Sequence, residues 1–242
     1  MWIYIWDTEI KWMYLWDTPV KEVYVWTTKV RPTWWQPWAN TIAYYPLTSA
    51  STVNDLSWNN YNLTQNWTIT YWTNAWVDCA YFNWGYLSAT IAWLPQWSTD
   101  RTASVYVYIT KTQCWILSWW ASSTYNKFCL YYWWFNNNWL AGTSYQWTDL
   151  NSSTYISWWW HHIVLLVRSW VRELYIDWVQ NTTLNKLSTT NTSWTNFEMW
   201  RLDYASNFGF QSYMSNVIIE NKARTADEVA KYYNLTKWNY WL

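Results

Sequence analysis

Few residues in this chain are able to do acid–base or metal chemistry, and their spacing restricts what they can do. The two histidines, His161 and His162, are adjacent in YISWWWHHIVLLV. Neighbouring strand residues point to opposite faces, so the pair cannot form one chelate or one acid–base dyad. The expected arrangement is one buried imidazole with a hydrogen-bond partner and one nearer the surface. Cys79, Cys114 and Cys129 sit in strand-like runs, an odd number with no C-x-x-C spacing. They read as buried thiols, against a disulfide framework or a zinc site. One segment has the composition of a sugar site. FCLYYWWFNNNWLAGTSYQWTD (128–149) sets Tyr131, Tyr132, Phe135 and Tyr145 beside Asn136, Asn137, Asn138 and Asp149. Aromatic faces flanked by amides and carboxylates can stack on a sugar ring and bond its hydroxyls. The competing role for the same aromatics is packing inside a β core.

The elements that must position these groups are strands. TIAYYPL, YNLTQ, TITYW, CAYF, YLSATI, SVYVYIT, WILSWW, FCLYYWW, LAGTSYQ, HHIVLLV, RELYIDW, FEMWRLD and MSNVIIE follow one another with Asn/Ser/Thr-rich loops between them. Many alternate apolar and polar residues, as half-buried antiparallel strands do. HHIVLLV and RELYI read as neighbours near the centre of a sheet. One stretch is helical, TADEVAKYY (225–233), with Thr225 as N-cap and Glu228 completing a capping box. Many short strands and one short helix predict an all-β fold, a two-sheet antiparallel sandwich with a C-terminal helix.

Residues 3–32 repeat with a ten-residue period, IYIWDTEIKW, MYLWDTPVKE and VYVWTTKVRP. Units this short must stack or dock, so residues 1–32 are expected to form three β-hairpin repeats. They would act as a stalk, or as a contact with further copies or virion proteins. Pro32 and Pro37 mark a linker over 33–40, the main domain spans 41–237, and 238–242 is expected to be a tail.

Charge is balanced, 15 basic against 15 acidic residues, and no basic stripe suggests nucleic acid. The longest apolar run is far short of the ~20 residues that span a bilayer, so no membrane insertion is expected. The start, MWIYIWDTEIK, lacks the form of a signal peptide.

Tryptophan is the outlier, with 31 Trp against 3 Gly. Turns need the positive φ that glycine supplies, yet here Trp stands in turn-like contexts. Examples are Trp58 in SWNN, Trp67 in QNWT, Trp84 in NWGY and Trp178 in IDWV. With glycine each becomes an ordinary turn, and the last two acquire the NG and DG hairpin signals. The expectation is a gene in which UGA means glycine, with Trp58, Trp67, Trp84 and Trp178 as turn residues carrying exposed rings.

Four stretches resemble the laminin G-like branch of the concanavalin A-like lectin/glucanase superfamily. They are AYYPLTSASTVNDLSWNNYNLT, YFNWGYLS, WHHIVLLVRSWVRELYIDWV and VIIENKARTADEVAKYYN, in that order over about Ile42 to Leu235. The resemblance implies a jelly-roll-like sandwich whose rim loops bind sugars or proteins. It makes Trp160 a genuine core tryptophan and aligns Trp158, Trp159, Trp170 and Trp178 with loop glycines. It also implies a candidate calcium site at Asn54, Asp55 and Asn59, calcium needing several hard oxygen ligands. The family's acidic residue on the last strand is replaced here by Met214-Ser215-Asn216-Val217, a departure that weakens such a site.

Glucanases of the superfamily use an E-x-D-x-x-E strand, and a retaining pair lies about 5–5.5 Å apart. Glu9, Glu22, Glu173, Glu198, Glu220 and Glu228 do not fit that pattern. The expected function is therefore a non-catalytic glycan- or protein-binding module of a phage particle or bacterial surface, hence extracellular. The alternatives are a structural virion or decoration protein and, as a minor one, a divergent glucanase.

Overall fold

A computed structural model of the chain describes residues 40–96, 99–110, 114–120, 127–135, 138–144, 150–154, 156, 159–169, 171–184, 195–199, 211–240 and 242, with four short strands between residues 14 and 30. The chain forms two units, Met1–Ala39 and Asn40–Leu242. In the first, β1 (Tyr14–Leu15) pairs with β2 (Thr18–Pro19) and β3 (Val23–Val25) with β4 (Thr28–Val30), all antiparallel. These hairpins are the second and third sequence repeats. The first repeat lies outside the described residues.

The second unit runs through β5 (Thr41–Tyr45), β6 (Thr64–Asn66), β7 (Ile69–Asn74), β8 (Val77–Asn83), β9 (Tyr86–Thr90), β10 (Arg101–Ile109), β11 (Cys114–Trp120), β12 (Lys127–Phe135), β13 (Asn138–Ser144), β14 (Leu150–Asn151), β15 (Trp160–Arg168), β16 (Val171–Ile176), β17 (Val179–Leu184), β18 (Asn196–Met199) and β19 (Gln211–Glu220). Helix α1 (Ala226–Thr236) and a 3-10 turn (Lys237–Asn239) follow. One sheet has the order β17-β16-β15-β10-β19-β8-β7, with β5 also beside β19. The other is β14-β13-β12-β11-β18-β9-β6, and every pairing is antiparallel. The unit is the all-β, two-sheet sandwich expected. β17 is an addition, because its sequence VQNTTL lacks the apolar alternation of a half-buried strand.

The core lies between the sheets. Phe82, Val105, Val107, Ile163, Leu165 and Val217 of the first sheet meet Leu87, Ile116, Leu130, Phe197 and Met199 of the second. The unbroken run HHIVLLV has a simple cause. Ile163, Leu165 and Val167 join this core, while Val164 and Leu166 pack with Tyr175, Ala223 and Val229 of α1 on the outer face. A strand buried on both faces has no polar side to show. Thr225 caps α1 by accepting from Glu228 N, and Thr225 N donates to Glu228 Oε2 at 2.8 Å, the expected capping box.

Residues 238–242, expected as a tail, instead contribute Tyr240 to this cover. Its ring is buried against Tyr106, which it stacks on, and against the edge of Trp160. An aromatic ring able to bury its whole area does not stay in solvent.

Trp58 and Trp178 stand in turns and Trp67 and Trp84 at bends between strands, and the four residues are 85, 49, 72 and 57% exposed. Trp67, Trp84 and Trp178 have φ of 65, 67 and 70°. A left-handed conformation at a residue bearing Cβ costs roughly 1–2 kcal/mol. Next to Trp84, Gly85 is required by space. A Cβ there would lie 2.8 Å from Thr68 O and 2.9 Å from an Ile69 side-chain carbon.

Candidate functional site

The outer face of the larger sheet has two halves. One is covered by the segment that follows β19. Beneath it Arg224 Nε lies 2.5 Å from Glu220 Oε2, both side chains 2% exposed, and Arg224 also sits over the Tyr232 ring. His162 is fully buried here, ringed by Tyr106, Tyr232 and Tyr233. This reverses part of the sequence expectation. The buried histidine is the one held by aromatic rings, and the one nearer the surface, His161, has the polar partner. His161 Nδ1 lies 2.7 Å from Asp177 Oδ2. The same carboxylate accepts from His162 N at 2.9 Å, and Asp177 N donates to His162 O. Asp177 is thereby engaged in holding the β16–β17 turn against β15.

Burial, reinforced by the Arg224 charge, holds the His162 imidazole well below its ordinary 6.5. The unfolded chain therefore takes up a proton near pH 6.5 that the folded chain refuses. Stability contributed by the neutral ring is fully present above that pH and is lost as pH falls toward the lower folded value. We expect stability to fall as pH drops below 6.5, with a slope approaching about 1.4 kcal/mol per pH unit. Urea midpoints across that window check it, and His162→Phe should flatten the slope.

The other half of the outer face carries a row of aromatic residues. Direct cross-strand partners share a face. The registers Thr70↔Tyr81, Tyr81↔Tyr213, Tyr213↔Tyr108 and Tyr108↔Trp160 thus draw one line across β7, β8, β19, β10 and β15. Trp160 closes the line under Tyr240. Tyr81, Tyr108 and Tyr213 are half-buried, while Trp72 beside them is 51% exposed and Trp159 41%. Ring centroids are 4.8 Å apart for Tyr81 and Tyr213, 5.6 Å for Trp72 and Tyr81, and 5.8 Å edge-on for Tyr213 and Tyr108. Burial holds the Tyr213 phenol above its ordinary value, so it is protonated at neutral pH. The row offers phenol hydroxyls and ring edges on a rigid sheet. Those groups suit a ligand with alternating hydroxyl and C–H surfaces.

The residues expected from sequence to form a ligand site are placed otherwise. Tyr131 and Tyr132 are buried, 6 and 4% exposed, with their hydroxyls donating to Asn151 Oδ1 and to Ile156 O. The core role wins for both, because β12 is an interior strand of its sheet. Phe135 of β12 and Asn138 of β13 are paired strand residues. Asn136, Asn137, Tyr145 and Asp149 lie outside the described residues.

The residues of the expected calcium site are engaged in hydrogen bonds. Asp55 is 5% exposed, and its Oδ1 accepts from Tyr44 N at 2.9 Å and Ser57 N at 2.8 Å. Its Oδ2 accepts from Ser57 Oγ at 2.7 Å and Tyr61 N at 2.8 Å. Asn59 turns its amide N–H groups to Thr41 O and Ile42 O, and Asn54 is exposed. A carboxylate with four donors on it organises its loop. Among the described residues no group of three or more His, Cys, Asp or Glu is placed to share a metal. Cys79 and Cys129 are buried free thiols, and burial pushes Cys79 up to about 12.

No protein family profile matches the sequence, and no curated protein does. The fold is similar to that of solved structures. The binding domain of Paraclostridial Mosquitocidal Protein 1 superposes with a TM-score of 0.65 at 14% identity over 81% of this chain and 52% of that one. Domain 4 of AbnA, a GH43 extracellular arabinanase from Geobacillus stearothermophilus in complex with arabinotriose, gives 0.62 at 14% over 79 and 97%. The botulinum neurotoxin DC binding domain in complex with SialylT gives 0.62 at 10% over 81 and 52%. The chain thus spans about half the length of the toxin domains it matches. By fold it is an all-β sandwich of the architecture these binding domains share. Among the described residues no helix is long and apolar enough to cross a membrane.

Proposed function

We propose that this chain is a non-catalytic recognition module that binds glycan or protein, displayed on a phage particle or a bacterial surface. Its sandwich would belong to the laminin G-like branch, with residues 3–32 as the stalk or the contact with further copies. The observation that carries the reading is the row of Tyr81, Tyr213 and Tyr108 across the outer face of a rigid sheet. The fold similarity to toxin binding domains and to an arabinanase domain bound to arabinotriose supports it. A glycan array probed with the full chain tests it. Binding to at least one glycan is expected, weakened about tenfold or more in Tyr81→Ala/Tyr213→Ala. An array without binding, together with co-purification with capsid or tail proteins, would support a purely structural virion role instead. Hydrolysis of a β-glucan would revive the glucanase alternative.

A further inference from the structure

We infer that positions 67, 76, 84 and 178 are glycine in the protein its own cells produce, and that Trp119 and Trp160 are tryptophan. The gene would carry UGA at the first four, read as glycine by its host, and UGG at the other two.

The argument is conformational. The described residues other than glycine with positive φ are Leu47, Asn60, Trp67, Ala75, Trp76, Trp84, Ser169, Asp177, Trp178 and Asn216, while no described glycine has one. Left-handed backbone is glycine's territory, tolerated by Asn and Asp and disfavoured for a bulky aromatic. Four tryptophans there is the opposite of what sterics select.

None of the four belongs to the buried core. Trp67, Trp76, Trp84 and Trp178 are 72, 82, 57 and 49% exposed. An indole held by its environment would be buried, as aromatic side chains usually are.

The turn chemistry agrees. Asn74 pairs with Val77 and Ile176 with Val179, leaving Ala75-Trp76 and Asp177-Trp178 as two-residue hairpin loops. Both residues of each loop have positive φ, 46 and 70° in the first and 49 and 70° in the second. That geometry favours glycine at the second position, and Asp-Gly is among its preferred pairs. Trp84 precedes Gly85, whose missing side chain is itself required by space. Trp76 is not among the turn tryptophans that sequence context singles out. The backbone adds it.

Two tryptophans behave in the opposite way. Trp119 is 1% exposed in β11, stacked at 4.1 Å on Phe128 in the core. Trp160 is fully buried in β15, edge-on to Tyr108 and Tyr240. Both rings are buried among other aromatic rings, as indoles commonly are, although neither indole N–H meets a hydrogen-bond acceptor there.

Mass-spectrometric sequencing of peptides from the natively produced protein is the test. Glycine at 67, 76, 84 and 178 with tryptophan at 119 and 160 is expected. Tryptophan at the four turns, or UGG codons there, would overturn the inference, and glycine at 119 or 160 would overturn the sorting. A second measurement needs no native source. The full chain carrying Trp67→Gly, Trp76→Gly, Trp84→Gly and Trp178→Gly should melt at a higher temperature than the unsubstituted chain. A lower melting temperature would count against the conformational argument.

Discussion

Asp55→Ala should remove about 4 kcal/mol of stability, a large share of what a domain has, and should shift the urea midpoint accordingly. The loop between β5 and β6 closes around Asp55, with Asn59 and Asn62 adding further bonds. One carboxylate holds Tyr44 N at the end of β5, Ser57 at a turn and Tyr61 N beyond it. Hydrogen bonds to an ionised acceptor are about twice as strong as neutral ones. Alanine would leave several donors unpaired in a site with almost no solvent. Asp55→Asn is informative because it keeps the volume. Its amide nitrogen donates where the protein already supplies donors, so it too should be strongly destabilised. A chelator should leave the wild-type melting temperature unchanged. If calcium instead raised that temperature, and failed to do so in Asp55→Ala, the loop would be a metal site and Asp55 a ligand rather than a loop organiser.

Arg224→Met alone should cost about 4 kcal/mol, and the double substitution Glu220→Gln/Arg224→Met should recover most of it. The two charges meet beneath the segment that covers the outer face, and neither reaches water. Burial pushes the Glu220 carboxyl upward and the Arg224 charge pulls it back, so removing the guanidinium leaves the burial effect unopposed. The single variant strands a charge. The double variant replaces the pair with groups that need no counter-ion. Chemical denaturation of the four forms measures the coupling. A single-variant loss of less than about 1 kcal/mol, the range of exposed ion pairs, would show that water reaches the site.

These residues also show what a sequence can disclose. The strands are legible because alternation and apolar runs follow directly from burial on one face or two. β15 is the clearest, carrying core on both sides. β17 is not legible, because at the end of the sheet order its Val179 and Gln180 face solvent and select no apolar pattern. The helix cap is legible in four residues, since its bonds are local. Tyr131 and Tyr132 are ambiguous for a physical reason. A tyrosine buried with its hydroxyl satisfied and a tyrosine awaiting a sugar have the same neighbours in sequence. The row of Tyr81, Tyr108 and Tyr213 cannot be seen at all, because its members come from three distant strands and only the register aligns them. Asp55 stands out in the sequence as the key residue of its loop, but its hydrogen-bonding task does not. Its donors are mostly backbone N–H groups, which every residue type offers alike.

The place of β19 in the larger sheet has a consequence for how the chain is made. This strand, near the end of the sequence, pairs with β10 along one edge and with both β8 and β5 along the other. Until it arrives, the larger sheet exists as three pieces with open edges, β17-β16-β15-β10, β8-β7 and β5. A ribosome must therefore release nearly the whole domain before its centre can close, and folding waits on contacts between the two ends of the chain. Folding of this kind is slow, and its intermediates expose strand edges that invite association. A nascent chain stalled before residue 211 should remain protease-sensitive throughout, whereas one extended past residue 240 should become protected in a single step.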